Sequence, residues 1–323
     1  MIATSSTGDW IGRPSIINDG SKWIMVYRAG VVHGHDANAR VHIRFSTDEG
    51  ANWTAENTFT NGNPVTGAPF AGDATHDLDR PIIVKAPNGD LLLIGDEKVS
   101  DSTYSGSSQW RSTDGGATWT DEGVITADAL GNDAIIVGTT IYAAGNANNE
   151  DATLWKSTNN GTTWTKESDV STLIGDGVAV SECSLCNPSG NILLVVMRHD
   201  DSTSTFSRKS TDLGVTWGSL QSIYHAVGVI QRPRLRIFAS EPGRIYLIGR
   251  NYSGGANNEK TTICYSDDAG ETWESQIDLE SAYQVDCGYS DALKRANSNI
   301  YMTSYRGNFT AATIYEYIVD VLA

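Results

Sequence analysis

The sequence repeats a pattern of two short apolar runs joined by a polar turn. Six segments share it: PSIINDGSKWIMVYR, PIIVKAPNGDLLLIGD, AIIVGTTIYAAGN, SLCNPSGNILLVVMR, LRIFASEPGRIYLIGR and DALKRANSNIYMTSYR. Short apolar runs with Gly, Asn or Asp between them, and without a 3.6-residue period, predict paired β-strands rather than helices. The pattern therefore predicts an all-β chain built from one repeated strand–turn–strand unit.

A second motif follows five of these six segments and reads Ser-x-(Asp/Asn)-x-Gly-x-x-Trp. It occupies residues 46–53, 112–119, 157–164, 210–217 and 266–273. We expect the Ser and Asp side chains to cap backbone N–H groups in a tight turn, the glycine to take a positive φ, and the tryptophan ring to be buried. The aspartates of these boxes are therefore interpreted as structural residues and not as catalytic ones.

Six repeats of about 45–65 residues match the usual size of β-propeller blades. We predict a single domain over residues 1–323, a six-bladed β-propeller with four-stranded antiparallel blades and box turns. A propeller must close its ring, and an N-terminal strand that completes the last blade would close it here.

Composition and charge limit the partners of this fold. The chain has 39 acidic and 23 basic residues and a net charge of −16, which disfavours nucleic-acid binding. Apolar runs fall short of the 18 or so residues of a membrane span. The segment MIATSSTGDW lacks the charged and apolar regions of a signal peptide, so the compartment is left open, and it would be extracellular if a signal had been removed.

Two motifs could suggest a metal, and both favour another interpretation. Cys183 and Cys186 form a CxxC without a second pair at finger-like spacing, which favours ordinary strand cysteines over a zinc or redox site. The run His33-Gly34-His35-Asp36 has no further histidine cluster, so a solvated or sugar-contacting loop is favoured over a metal site. We expect neither a metal nor another cofactor.

The repeated boxes in a six-unit β chain resemble the Asp boxes of the sialidase (neuraminidase) superfamily over nearly the whole sequence. The same boxes occur in other propellers, including xyloglucan-degrading enzymes and sortilin-like receptors, so function has to be read from the site residues. The runs YRAGVVHGHD, LDRP and GRIYLIGRNY also resemble a divergent branch of sialidase-like proteins whose substrates are not well established.

In a propeller, loops at one end of the inner strands meet at the axis. The segments that should meet there open with Arg13, Arg80, Asp133, Glu182, Arg232 and Tyr289. Their second strands end at Arg28, Asp96, Asn146, Arg198, Arg250 and Arg306. Because buried guanidinium groups need anions nearby, this arginine-rich rim predicts a pocket for an anionic ligand. The alternative is that each arginine pairs with a carboxylate of a neighbouring blade.

The resemblance implies a role for several of these residues. Arg13, Arg198 and, as a substitute for the third arginine of the family, Arg250 would bind a substrate carboxylate. The other rim arginines that we assign to substrate binding are Arg28, Arg80 and Arg306.

The catalytic roles implied by the resemblance fall on three residues. Tyr289 would be the nucleophile, because the anomeric carbon of a sialoside carries a carboxylate that repels a carboxylate nucleophile. Glu182 would take the phenol proton. Asp36 would be the acid/base residue, which requires a raised pKa.

The hypothesis that follows is an exo-α-sialidase that releases terminal sialic acid, or a related nonulosonic acid, from glycoconjugates with retention of configuration. Two alternatives remain open. One is a non-catalytic glycan-binding propeller. The other is a glycosidase for another acidic or a neutral sugar, with Asp36 and Glu182 as a carboxylate pair.

Overall fold

The computed structural model describes residues 10–36, 38–57, 77–101, 103–147, 150–200, 203–252, 259–279, 286–308 and 311–320. These residues form six antiparallel sheets, the blades, and two helices of one turn each. Each sheet is built from strands that are consecutive in the sequence, as expected for a propeller.

The blades have the following strands. Blade one has β1 (Trp10–Asn18), β2 (Trp23–Gly30) and β3 (Arg40–Ser46), and blade two has β4 (Asp77–Lys85), β5 (Leu91–Ser100), β6 (Thr103–Ser112) and β7 (Thr120–Thr126). Blade three has β8 (Ala129–Val137), β9 (Thr140–Ala147), β10 (Asp151–Ser157) and β11 (Thr165–Ser171), and helix α1 (Leu173–Asp176) follows it. Blade four has β12 (Val180–Cys186), β13 (Leu193–His199), β14 (Thr205–Ser210) and β15 (Gln221–Ser222), and helix α2 (Tyr224–Val227) follows it. Blade five has β16 (Ile230–Arg236), β17 (Ile245–Asn251), β18 (Lys260–Ser266) and β19 (Glu274–Asp278), and blade six has β20 (Asp286–Lys294), β21 (Ile300–Asn308) and β22 (Ala311–Val319).

The first strand of each blade lies innermost and packs against the first strand of the next blade, and β20 packs against β1 to complete the ring. The predicted six-bladed propeller is therefore confirmed. Blades two to five have four strands. Blades one and six have three strands within the described residues, and the N–H groups of Thr54 and Asn57 bond to the outer edge of β3. The predicted N-terminal closing strand falls on residues 1–9, outside the described residues.

The hydrophobic core lies between the blades. Six clusters of buried apolar side chains are found among the described residues, and each combines two neighbouring blades. Between blades one and two, for example, Ile24 and Phe45 pack with Leu91 and Leu93, all of them fully or almost fully buried. Burial of such a side chain stabilises the fold by about 1.5–3 kcal/mol, so the ring is held by side-chain packing as well as by sheet hydrogen bonds.

The five boxes form the predicted turns between third and fourth strand positions. In the first box Ser46 Oγ donates to Asp48 and accepts the Gly50 N–H at 2.9 Å, and the other four repeat this pattern. The five box glycines have φ between 80° and 92°: Gly50, Gly116, Gly161, Gly214 and Gly270. Each also lies against a side chain of the preceding blade, so the boxes join blades as well as strands.

Two glycine substitutions, one inside a box and one outside, separate the cost of the left-handed backbone from the contribution of the contact between blades. A methyl group at Gly214 would overlap the buried Leu154 of blade three, whereas one at Gly243, with a similar φ of 95°, would meet no atom within 4 Å. We expect Gly243→Ala to cost about 1–2 kcal/mol for the left-handed backbone alone. Gly214→Ala adds overpacking, for a total of about 2–4 kcal/mol. Urea unfolding of the two variants measures the difference, and equal losses would rule out a contribution from the blade contact.

A polar cluster crosses the axis of the ring. Asp133 of β8 accepts hydrogen bonds from Arg234 at 2.7 Å and Arg236 at 3.2 Å, both on β16. Arg236 also donates to Asp291 of β20 at 2.7 Å, and Asp291 accepts the Ile16 N–H of β1 at 3.0 Å. The axial cluster, Asp133, Arg234, Arg236 and Asp291, thus joins four blades. Asp133 and Arg236 also line a cavity of about 910 Å³ at the far ends of the inner strands. Asp133 therefore belongs to this cluster and not to the predicted rim.

Candidate functional site

Each inner strand has a bulge near its start, where its pairing register with the second strand shifts. The candidate site is built from residues at and around these bulges. In four blades the bulge holds a large residue with a positive φ: Arg13 (57°), Arg80 (43°), Arg232 (49°) and Tyr289 (47°). A left-handed backbone costs such residues about 1–3 kcal/mol each. The Arg-Pro element is thus a structural feature of three blade openings.

Tyr289 lies where three blades meet. The guanidinium carbons of Arg13 and Arg232 are each 5.1 Å from the centroid of its ring. The ring of His33 meets it edge-on at 5.6 Å, and Tyr305 lies 5.4 Å away. The tyrosine is 8% exposed, so its ring is held by aromatic and cationic neighbours from blades one, five and six.

Asp79 of blade two is a fully buried carboxylate that several groups share. It forms an ion pair with Arg13, accepts a hydrogen bond from the Tyr104 hydroxyl at 3.0 Å, and lies 3.7 Å from both Lys98 and Arg28. The alternative predicted for the rim, pairing with a carboxylate of a neighbouring blade, is confirmed for Arg13. The pair also fixes the side chain of Arg13 beside Tyr289.

Glu182 lies on β12 of blade four and is linked to the surroundings of Tyr289 through Arg232. Its Oε2 accepts the backbone N–H of Arg232 at 2.7 Å and lies 3.3 Å from Arg198. Burial by itself would raise the pKa of this carboxyl, but the charges of Arg198, Arg232 and Arg250 outweigh burial and lower the pKa to about 2. Glu182 is therefore ionised at neutral pH.

Asp36 is held by its own loop. Its two carboxylate oxygens accept the N–H groups of Val31 at 2.6 Å and Asn38 at 2.9 Å, and its own N–H donates to Asp77 at 3.0 Å. Partial burial would raise the pKa, but these hydrogen bonds and the charge of Arg28 lower it below its ordinary value. The raised pKa expected for an acid/base residue is therefore wrong for this arrangement of the loop.

Arg28 supports the loop of Asp36 from behind. It is fully buried, and its Nε donates to Asp77 at 3.0 Å. Its terminal nitrogens donate to the carbonyl oxygens of Val32 and Gly34, each at 2.9 Å. Arg28 was predicted to bind substrate, whereas its donors bond to the loop and to Asp77. The error arises because the sequence does not show which groups surround a strand end.

Two more of the predicted arginines, Arg80 and Arg250, have different surroundings. Arg80 is buried, pairs with Asp96 at 2.7 Å and lies 4.0 Å over the ring of Tyr104. Arg250 donates to the side chain of Gln231, and its Cβ lies against Gly288 next to Tyr289.

Arg306 does not occupy the expected strand-end position. Tyr305 is the residue that pairs with Gly288, just as Arg28 pairs with Gly12. Arg306 is one residue further along, and its guanidinium carbon lies 5.2 Å from the ring centroid of Tyr315 on β22. The assignment of Arg306 to the substrate rim is therefore wrong in register.

Several residues around Tyr289 and Asp79 were not among the predicted catalytic or substrate-binding residues: His33, Asp79, Lys98, Tyr104 and Arg232. Of these, Arg232 was expected only as a blade opening of the rim, and His33 only as part of a solvated or sugar-contacting loop. Two signals were present in the sequence, since Asp79 directly precedes Arg80, and Arg232-Pro233 repeats the Arg-Pro element of Arg13-Pro14. His33 stacks on Trp10 with ring centroids 4.7 Å apart and planes 2° apart, a contact between distant residues that no local pattern indicates.

The ammonium group of Lys98 leads to a prediction about how the stability of the fold depends on pH. Burial first, and then the charges of Arg13, Arg28 and Arg80, lower the pKa of its ammonium to about 7. The unfolded chain keeps that proton up to about pH 10.4, so this lysine makes stability rise with pH between about 7 and 10. We expect Lys98→Met to stabilise the protein at pH 7 by up to about 4 kcal/mol, at roughly 1.4 kcal/mol per pKa unit, and to flatten this slope.

Urea unfolding at pH 7, 8 and 9 checks the prediction for Lys98. Lys260→Met is the matched control, because Lys260 is part-exposed and paired with Asp278 at 2.9 Å. An unchanged slope in Lys98→Met would contradict the prediction.

The remaining predictions concern the CxxC cysteines, a metal site and a membrane span. Cys183 and Cys186 are buried free cysteines within β12, which confirms that they are ordinary strand residues. In the described part of the chain, no group of three His, Cys, Asp or Glu side chains is arranged to hold a metal ion. No helix among the described ranges is both long and apolar enough to cross a membrane.

A six-bladed ring with five box turns, and with buried arginines around Tyr289, defines an Asp-box β-propeller. The model of the BNR repeat-like domain family matches residues 21–302. The chain therefore belongs to the BNR repeat-like domain family. A search of curated protein sequences finds no match.

Solved structures with the same fold cover nearly the whole chain. A protein of unknown function from Dyadobacter fermentans superposes with a TM-score of 0.76 at 16% identity, over 98% of this chain and 96% of that one. The NanB sialidase of Streptococcus pneumoniae gives 0.75 at 11% identity over 98% and 70%, and the intramolecular trans-sialidase of Ruminococcus gnavus gives 0.72 at 12% over 99% and 96%. At these identities the similarity establishes the fold alone.

Proposed function

We propose that this protein is an exo-α-sialidase that removes terminal sialic acid, or a related acidic sugar, from glycans. The observation that carries the proposal is the position of Tyr289 beside both Arg13 and Arg232, with Glu182 bound to the backbone of Arg232. A buried tyrosine beside two guanidinium groups, with a carboxylate bound to the backbone of one of them, has the groups needed to attack a carbon that bears a negative carboxylate. The sialidases among the structural relatives support the proposal.

The substrate carboxylate would be bound by Arg198, Arg250 and the part of the Arg13 guanidinium that is not paired with Asp79. Arginine suits this role because its planar fork donates two parallel hydrogen bonds to a carboxylate. The carboxylate would also compete with Glu182 for the charges of Arg198 and Arg250. Since those charges hold the pKa of Glu182 near 2, substrate binding would raise that pKa and make Glu182 a stronger base.

In the first chemical step, Glu182 takes the phenol proton of Tyr289 as the phenol oxygen bonds to the anomeric carbon. The glycosidic bond breaks, and Asp36 gives its proton to the leaving oxygen. In the second step Asp36 takes a proton from water, and the water oxygen attacks the anomeric carbon. The bond to Tyr289 breaks, its oxygen regains the proton from Glu182, and the two inversions give net retention.

Asp36 favours a second candidate function, a glycan-binding propeller without catalysis. Both carboxylate oxygens of Asp36 are hydrogen-bonded to N–H groups of its own loop, and its pKa is lowered. An acid that protonates a leaving group at neutral pH needs the opposite shift. Catalysis therefore requires the substrate to displace at least one of these loop hydrogen bonds.

Turnover of a fluorogenic α-sialoside by the purified protein tests the proposed function, with binding of free N-acetylneuraminic acid measured in parallel by calorimetry. Release of the fluorophore, with the α-anomer of the sugar appearing first by proton NMR, is the expected result. Binding of the sugar without release would instead establish the binding propeller. Release from a fluorogenic glucuronide but not from any sialoside would show a glycosidase for a different acidic sugar.

A further inference from the structure

The guanidinium of Arg232 lies beside Tyr289 and donates its hydrogen bonds to neutral oxygens. It is 5% exposed and donates to the side-chain oxygen of Asn132 at 3.1 Å and the carbonyl of Gly131 at 3.2 Å. The carboxylate of Glu182 accepts a hydrogen bond from the backbone N–H of Arg232 at 2.7 Å and not from its guanidinium. The charge of Arg13, at the same distance from the tyrosine, is instead balanced by its ion pair with Asp79.

The backbone of Arg232 is shaped for this place. Its φ of 49° lies in the left-handed region, and the register shifts between Gln231 and Arg234, so Arg232 and Pro233 form the bulge. The bulge turns the N–H of Arg232 towards Glu182 and leaves its side chain over Tyr289. A strained backbone of this kind persists only where its surroundings determine it, and such residues cluster at functional sites.

Burial lowers the pKa of Arg232 to about 10, with Arg80 and Arg13 acting in the same direction and Glu182 opposing them, so the side chain stays charged at neutral pH. Four charged or titratable groups lie around the ring of Tyr289: Arg13 of β1, His33 of the β2–β3 loop, Arg232 of β16 and Tyr305 of β21. Two more lie beside these groups, since Glu182 of β12 accepts the N–H of Arg232 and Arg250 of β17 lies against Gly288.

We propose that Arg232 is a positioning residue that joins the base to the nucleophile. Its backbone N–H holds Glu182, and its guanidinium stabilises the negative charge that develops on Tyr289 as the phenol proton passes to Glu182. The catalytic part of this inference, the role of Arg232 in the reaction, rests on the proposed function. The electrostatic contact itself can be measured without any substrate.

The first measurement follows the ionisation of Tyr289 by NMR with carbon-13 at the tyrosine Cζ, the signal being assigned by its loss in Tyr289→Phe. In Arg232→Met we expect half-ionisation of this phenol to need about 10- to 100-fold more hydroxide than in the unaltered protein. Arg232→Lys, which keeps the charge, restores most of the difference. Arg244→Met is the matched control, since Arg244 pairs with the exposed Asp267 at the outside of the same blade.

Half-ionisation at the same pH in the unaltered protein and in Arg232→Met would overturn the inference. If Arg232→Met is unfolded by circular dichroism, Arg232→Gln replaces it, because glutamine keeps an amide donor for Asn132 or Gly131 while it removes the charge.

The second measurement is sialoside turnover. We expect Arg232→Met to lower kcat about 10- to 100-fold while KM changes less than about threefold, because Arg232 acts on the nucleophile and not on the substrate carboxylate. An effect on KM alone would overturn the assigned role and make Arg232 a substrate-binding residue. If the unaltered protein releases no sugar, the proposed function fails, and the NMR comparison still decides whether Arg232 stabilises the charge of Tyr289.

Discussion

Tyr289→Phe is expected to lower sialoside turnover by roughly 10³-fold or more, the effect of removing a nucleophile from a group of residues that act as a unit. The substitution deletes one oxygen atom and keeps the ring. The contacts of that ring with Arg13, Arg232, His33 and Tyr305 should therefore persist, and the fold with them. Steady-state kinetics with a fluorogenic sialoside, alongside a thermal melt, measure both quantities.

Trp53→Ala is the control for this experiment. Trp53 belongs to the first box, and its indole N–H donates to Tyr301 of blade six at 3.0 Å. It is distant in sequence from the rim residues, and its role is structural. We expect this variant to lose stability by about 3 kcal/mol or more and to keep its turnover at temperatures where it remains folded. Unchanged turnover in Tyr289→Phe would remove the tyrosine from the nucleophile role and leave Asp36 and Glu182 as the candidate carboxylate pair.

Asp79→Asn is expected to destabilise the fold by about 3–5 kcal/mol, the usual cost of removing one partner from a buried ion pair. Asp79 is fully buried, and its loss would leave Arg13 without its paired carboxylate and Lys98 without its nearest one. Asparagine keeps the shape and one acceptor oxygen, so the measured loss reports mainly the charge. Urea unfolding at pH 7 gives the free energy of unfolding.

Asp267→Asn provides the comparison for the loss at Asp79. Asp267 forms an ion pair with Arg244 at 2.8 Å, but its side chain is 55% exposed, so we expect a loss below about 1 kcal/mol. A loss of similar size in the two variants would mean that Lys98 and Arg28 rearrange to spare Arg13, and the shared-carboxylate description would then be wrong.

The fold could be predicted because its signals are local. Ser46, Asp48 and Gly50 lie within five residues of one another, and the turn they form depends only on their own backbone and side chains. Five copies of this turn, alternating with apolar runs, are enough to predict blades and to count them. Ring closure is different, because it depends on contacts between the two ends of the chain.

The candidate site could be predicted only in part, because it depends on which groups from distant blades share a space. Arg28 was expected at the rim and instead holds the Asp36 loop, since the positions of Asp77 and of the loop carbonyls are invisible in the sequence. Arg306 was misplaced by one residue, because pairing register is a property of the folded sheet. The roles of Glu182 and Tyr289 remain predictions.

The axial cluster has a consequence for the number of blades. Asp133 of blade three reaches the arginines of blade five directly, and Arg236 of blade five continues to Asp291 of blade six. These bonds span the ring at one fixed diameter. In a ring of five or seven blades, the same side chains would be crowded together or separated, and the two buried aspartates would face the two arginines at the wrong distance. The cluster therefore favours a ring of six blades. Duplication or deletion of a single blade would disrupt these axial hydrogen bonds before it strained any contact between blades.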